Sequence, residues 1–214
     1  MRAIWNHRTR NRAVGLLALG LAAFAPAARA QTMTAAERQQ LVEKLDASQR
    51  KLFAALQGVS EVQWHWKPAP DKWSIAEVAD HIDLAEIKTP QLVHGMATNA
   101  PATPEKKGEV SGKDERVASE IPDRTQHRMM RPDFLAPTDR WPNPAALEKD
   151  FLANRAKTIA YVKTTQDDVR SHMAPHPEMG LMDGYQWLLL IAAHDERHTA
   201  QILEIKAMPG YPKP

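Results

Sequence analysis

His194 and His198 stand four residues apart in an otherwise apolar run. A helix would put both on the face made by Trp187, Leu190, Ile191, Ile202 and Ile205, with Asp195 and Glu196 turned away from its centre. Side chains at that spacing lie one above the other, so two ring nitrogens can point at one ion. The best third donor is His81, which borders a second stripe of Ile75, Val78, Ala79 and Ile82. Three neutral imidazoles leave a divalent ion its full charge and one position open for water or substrate, the ligand pattern of a reactive site. The plainer alternative is that each histidine is a core residue hydrogen-bonded to a neighbouring helix.

Four helical segments must position these rings, and each begins with a recognisable start signal. The first covers residues 34–57: Thr34 and Glu37 have capping-box spacing, Leu41, Leu45, Leu52 and Leu56 form the buried stripe, and Gly58 ends it. The second starts at Ser74, with Glu77 completing a second box, and reaches about Met96 past a weak interruption at Pro90. The third opens at Asn143 and Pro144, turns Leu147, Phe151, Ile159 and Val162 inward, and fades near Gln166. The fourth starts near Asp183, with Gln186 three residues later, and runs to about Ala207. No stretch shows sustained strand alternation with hairpin turns, so the predicted fold is all-α.

A proline-rich connection, residues 98–143, separates the second and third helices, and one this long in a compact domain is usually functional or disordered. Residues 101–113 read as solvated. Met129, Met130, Phe134, Leu135 and Trp141 could pack across the bundle mouth, as a tether or as a substrate lid. Such a crossover can return the chain to the same end of a bundle. His81 lies about 10 Å along its helix, whereas His194 and His198 lie roughly 17 to 22 Å along theirs, so antiparallel packing brings these levels closer.

Other constellations are weaker. Trp64, Trp66 and Trp73 could line a pocket near His81, but a plug under the bundle end is the better reading. Arg197 and Glu77 are placed to orient a ligand or take a proton, although Glu77 is equally explained by its cap. His127 and Arg124 reach the site if the connection folds over it, and His172 and His176 read as exposed loop residues. No Ser-His-Asp order, phosphate-cradling glycine loop or catalytic carboxylate pair can be picked out.

Residues 1–30 read as a secretory signal peptide. Arg2, Arg8, Arg10 and Arg12 precede a short apolar run, and Ala28-Arg29-Ala30 fits a cut after Ala30. The run is too short to span a membrane comfortably, so no stable membrane insertion is expected after its removal. The expected location is periplasmic or secreted. Removing the leader's five arginines turns 28 basic and 26 acidic residues into 23 and 26, a formal charge of −3. That balance argues against a nucleic-acid surface. With no cysteine there is no disulfide, thiolate nucleophile or thiolate metal ligand, so thiol chemistry would need a thiol brought by the substrate. The remaining chain, residues 31–214, has the length of one domain.

Trp66-Lys67-Pro68, the Trp-Ser-x-x-Glu-x-x-x-His element from Trp73 to His81, and the stretch from Tyr185 through His194 and His198 to Ile202 resemble the DinB-like superfamily of metal-dependent bacterial proteins. The resemblance covers essentially residues 34–208. It implies a four-helix bundle with one histidine on the second helix and two on the last, and residues 98–143 make the long crossover between the second and third helices of that bundle. It further implies one divalent metal ion, zinc or nickel foremost, held by His81, His194 and His198. Related families include thiol transferases. The resemblance therefore leaves two chemistries open, hydrolysis and thiol transfer on a small-molecule substrate. The alternative is a bundle that binds a small molecule or protein without chemistry, and its exposed faces leave room for a homodimer.

Overall fold

The computed structural model describes residues 32–125 and 133–213. The predicted leader lies outside the described residues, as do His127, Met129 and Met130. Seven α-helices are formed among the described residues: α1 Ala35–Leu56, α2 Glu61–His65, α3 Ile75–Asn99, α4 Lys107–Val110, α5 Lys113–Glu120, α6 Pro144–Thr164 and α7 Gly184–Lys206. The four long ones start where local chemistry directs. Thr34 with Glu37, Ser74 with Glu77 and Asp183 with Gln186 close reciprocal capping boxes, and the Asn143 side chain accepts from the Ala146 backbone. Pro90 lacks the N–H that its turn would use, yet α3 continues to Asn99 because it is packed on both α6 and α7.

Polar contacts report the helix directions. α1 and α7 run parallel, since Ser48 meets Asp195 and Lys206 donates to the Ala55 carbonyl further along both. α1 and α6 run antiparallel, as Arg38 donates to the Val162 carbonyl and Arg155 to that of Leu45. α3 and α6 run parallel, through Asn154 to Asp83 and the ring contact of His94 with Tyr161. α3 is therefore antiparallel to α7. Each of α6 and α7 packs between α1 and α3. Because α3 and α6 point the same way, the chain between them must travel back along the bundle.

That connection carries more structure than its composition suggests. Short helical turns at Pro104–Lys106 and Asp133–Leu135 flank α4 and α5, and α5 lies along α7 with Val117 and Ile121 buried. The expected solvation of residues 101–113 fails at Val110, which is buried because the Gln186 side chain of α7 hydrogen-bonds its carbonyl and pulls the turn inward.

A two-stranded antiparallel hairpin adds to the helical bundle: β1 Met173–His176 pairs with β2 Gly180–Asp183, with His176 opposite Gly180. The sequence carries no alternation signal for it, because each strand has only four residues and β1 contains Pro175. Gly180 turns the chain with φ +66°, a conformation that suits glycine.

The core is apolar in two clusters. Leu41, Leu45, Val162, Tyr185 and Leu188 belong to one, and Leu52, Leu56, Ile75, Ile82, Phe151 and Ile202 to the other. Between them in sequence, on all four long helices, lie the buried polar residues Ser48, Glu86, Arg155 and Asp195. No helix among the described residues is long and apolar enough to cross a membrane.

Candidate metal centre

The antiparallel pairing of α3 and α7 brings the three histidines together. Ring centroids of His194 and His198 are 4.4 Å apart, and His81 lies 4.7 Å from the first and 4.6 Å from the second. One nitrogen from each ring falls within 4.8 Å of the others, and the Nε2 atoms of His81 and His194 are 3.0 Å apart. His81 is buried, while His194 and His198 are half-buried.

Their second nitrogens orient them. His81 Nδ1 donates to the Leu135 carbonyl at 2.8 Å, and His198 Nδ1 to the Gln201 side-chain oxygen at 2.8 Å. A carbonyl can only accept, so the Nδ1 proton is fixed in both rings and the lone pair of the neutral form sits on Nε2. Trp73 packs against His81 at 5.1 Å. Loss of water around His194 pushes its pKa well below the ordinary value, and His198 and His81 add repulsion. His198 is lowered in the same way by burial and then by His81. Protonation of His194 and His198 is therefore disfavoured.

These observations fit a cation. Zinc bonds to imidazole of about 2.0 to 2.1 Å place tetrahedral ligand nitrogens roughly 3.3 Å apart, close to the 3.0 Å between Nε2 of His81 and Nε2 of His194. Carbonyl acceptors behind two of the three rings are what metal-binding histidines ordinarily have. The Nδ1 of His194 is buried without a hydrogen-bond partner, so this ring is not held as a satisfied core histidine would be.

The cluster opens on a cavity of about 1260 Å³ whose walls include Trp73, Trp187, Leu190, Ile191 and Phe134. Arg124 and Arg197 also face it, but both are engaged. Arg124 pairs with Glu204 at 2.7 Å, and Arg197 donates to the carbonyls of Ile121 and Asp123, tying the connection to α7.

Several sequence expectations are redistributed. Glu77 serves its cap and pairs with Lys67 at 2.8 Å. The tryptophan group divides. Trp64 is a fully buried plug donating to the Trp141 carbonyl, Trp66 stacks edge-on with Tyr211, and Trp73 alone lines the cavity with His81. Neither His172 nor His176 is an exposed loop residue. His172 is buried, its Nδ1 donating to the Asp168 carbonyl, and His176 is half-buried on β1 and lines the cavity. The hairpin that the pattern missed is what turns both inward.

Asp195, placed away from the face centre, is fully buried, because α7 is packed by α1, α3 and α5 together. Behind the histidines, Arg155 Nη2 lies 2.8 Å from Glu86 and 2.5 Å from Asp195. Burial pushes the Asp195 carboxyl up to about 7, with Arg155 opposing and Glu86 reinforcing the shift. Sequence reasoning missed this network. The signal was present, since Arg155 falls on the inward stripe between Phe151 and Val162.

The sequence profile of the DinB superfamily matches residues 44–202. The chain belongs to the DinB superfamily. Among relatives, the "Uncharacterized protein YuaE" of Bacillus subtilis (strain 168) is 26% identical over 151 residues, covering 71% of this chain and 88% of YuaE. Among solved structures, YfiT from Bacillus subtilis superposes with a TM-score of 0.53 and 14% identity, over 82% of this chain and 89% of its own. YfiT is described as "a probable metal-dependent hydrolase with an unusual four-helix bundle topology". The likeness shows that this DinB chain shares that bundle fold.

Proposed function

We propose that this DinB protein is an exported metal-dependent hydrolase holding one divalent ion, zinc or nickel foremost, through His81, His194 and His198. The observation that carries the reading is the convergence of three ring nitrogens within 4.8 Å on the wall of a large cavity. A divalent ion bound by three neutral imidazoles supplies Lewis-acid chemistry, polarising a carbonyl and lowering the pKa of water.

The chain's own residues prepare that chemistry. The Leu135 carbonyl and the Gln201 side chain hold His81 and His198 in the tautomer that presents Nε2. Trp73, Trp187, Leu190 and Ile191 displace water from around a small apolar substrate, which strengthens every polar interaction inside. Hydrolysis is favoured over thiol transfer by the description of YfiT. An open cavity beside the rings favours chemistry over a sealed structural site. Export rests on the leader and its cut after Ala30, and N-terminal sequencing of mature protein beginning at Gln31 would support it.

The test is elemental analysis of protein recovered from its native compartment, followed by an ester screen. Near-stoichiometric metal is expected in the wild type and none in His194→Ala. Equal metal content in both would remove the proposed ligand set.

A further inference from the structure

His176 sits on β1 of a hairpin held from three sides. Trp187 Nε1 donates to the Ala174 carbonyl at 3.3 Å, and Lys113 Nζ donates to the carbonyls of Met179 and Leu181 at 3.0 and 2.6 Å. The Gly184 backbone donates to the His172 carbonyl at 3.2 Å. The His176 ring packs against Trp187 with centroids 5.3 Å apart, and both line the cavity that contains the three histidines.

Hydrogen bonding fixes the tautomer. His176 Nδ1 accepts from the backbone N–H groups of Glu178 at 3.3 Å and Met179 at 3.2 Å. A backbone N–H can only donate, so Nδ1 carries the lone pair and the neutral ring bears its proton on Nε2. Burial lowers the pKa of His176, against the smaller opposing influence of Glu178, which keeps the ring neutral at ordinary pH. The ring is also near enough to the cluster for its charge to bear on His194. Among the cationic side chains of the lining, Arg124 pairs with Glu204, Arg197 donates to two carbonyls, and Lys72 pairs with Asp71 at 3.1 Å, while Lys88 also borders the cavity.

We propose that His176 is a catalytic hydrogen-bond donor, offering Nε2–H to the acyl oxygen of an uncharged ester whose apolar body lies against Trp187, Leu190 and Ile191. The inference rests on the hydrolase reading and deepens it. In ester hydrolysis the water oxygen bonds to the acyl carbon and the carbon–oxygen bond to the leaving group breaks. The leaving oxygen takes a proton from the water. Negative charge develops meanwhile on the acyl oxygen, where a fixed donor in a water-poor site has its largest effect. His176 keeps its own proton throughout. Against Trp187, Leu190 and Ile191 an uncharged acyl body is favoured, since a charge placed on that wall would lose its water.

The test compares wild type, His176→Phe and His176→Gln. Phenylalanine keeps a ring against Trp187 but removes the donor, whereas glutamine restores an N–H near the place of Nε2. Phenylphosphonate, which mimics the charged tetrahedral oxygen arrangement, serves as a binding probe by calorimetry with and without added Zn²⁺. The Phe variant should bind it about tenfold more weakly at unchanged metal content, with the Gln variant recovering most of the loss. With p-nitrophenyl butyrate as substrate, kcat should fall about 100-fold in the Phe variant while KM changes little.

Equal phosphonate affinity in wild type and the Phe variant, or no recovery with glutamine, overturns the inference. Wild-type protein that holds metal but has no affinity for the phosphonate also overturns it, leaving the metal reading intact. Failure to hold metal sinks the hydrolase reading instead, and the metal-free titration still reads the donor. Should the variants not fold, long-range ¹H–¹⁵N correlation on the wild type decides the matter, because a proton found on Nδ1 contradicts the proposal.

Discussion

Arg155 Nη2 lies 2.5 Å from Asp195 Oδ2, and both side chains are sealed from water immediately behind His194. Through the same guanidinium, α6 reaches α3 at Glu86 and α1 at the Leu45 carbonyl and Ser48 Oγ. One residue therefore ties together all four long helices at the depth where the histidines converge. Two carboxylates face one guanidinium, and the raised Asp195 pKa lets the cluster keep a proton and stay near neutral.

Arg155→Met should destabilise the fold by about 3 to 5 kcal/mol, since it leaves two carboxylates buried without their cation. Adding Glu86→Gln and Asp195→Asn should restore much of that loss, because the buried charge is then gone. Urea unfolding of the single and triple variants checks both statements. A single variant as stable as the wild type would show that the pair contributes nothing.

Gln201→Leu should weaken metal binding about 10- to 100-fold while the helical content stays unchanged, because His198 Nδ1 loses the acceptor that fixes its tautomer. Competition against a chelator of known affinity measures the effect. Unaltered affinity would mean that the ring is oriented by packing alone.

Acid should loosen the junction of α1, α5 and β2 around Arg170. Burial alone would raise Glu37, but the Thr34 backbone and Arg170 more than offset it, and the net pKa lies below the ordinary value. Asp114 is lowered by the same balance, with Arg170 and Gln186 outweighing burial. A carboxylate with a depressed folded pKa stabilises above its unfolded pKa and loses that contribution as pH falls through the folded value. Asp183 works the other way, since burial raises it and protonation relieves that cost. Thermal stability of the wild type should therefore fall below about pH 4, and in Arg170→Gln the dependence should flatten. Parallel melting curves for the two proteins would refute this account.

Gly184→Ala should cost roughly 1 to 3 kcal/mol by overpacking. An added Cβ would lie 2.9 Å from the Val169 carbonyl oxygen, which accepts the Gly184 backbone N–H at 2.7 Å. Because this contact docks the segment before β1 on the start of α7, the variant should also shift the His176 ring, visible as a change in its NMR resonances. A variant with wild-type melting temperature would show that the junction can yield freely.

Residues that act through near neighbours could be read before the fold was known. Thr34, Ser74 and Asp183 each cap through a side chain three positions on, and all three helices begin where those pairs stand. The inward leucines of α1 and the spacing of His194 and His198 follow from the helical period in the same way. His176 escaped because a four-residue strand leaves too short a pattern, and the ring's surroundings come from α7 rather than from its own segment. Asp195 escaped because α7 is packed on several sides, so a position off the apolar face is buried as well.

The amino-acid order by itself thus determined where the long helices begin, which stripes they bury and which three imidazoles were candidates to meet, because these depend on bonds and periods spanning a few residues. Tertiary structure alone decided that α3 opposes α7, that His81 comes within 3.0 Å of His194 across 113 positions, and that Arg155 finds partners on three other helices. Those contacts depend on how whole helices pack and point, a choice made by the summed burial of many side chains and carried by no local stretch of the chain.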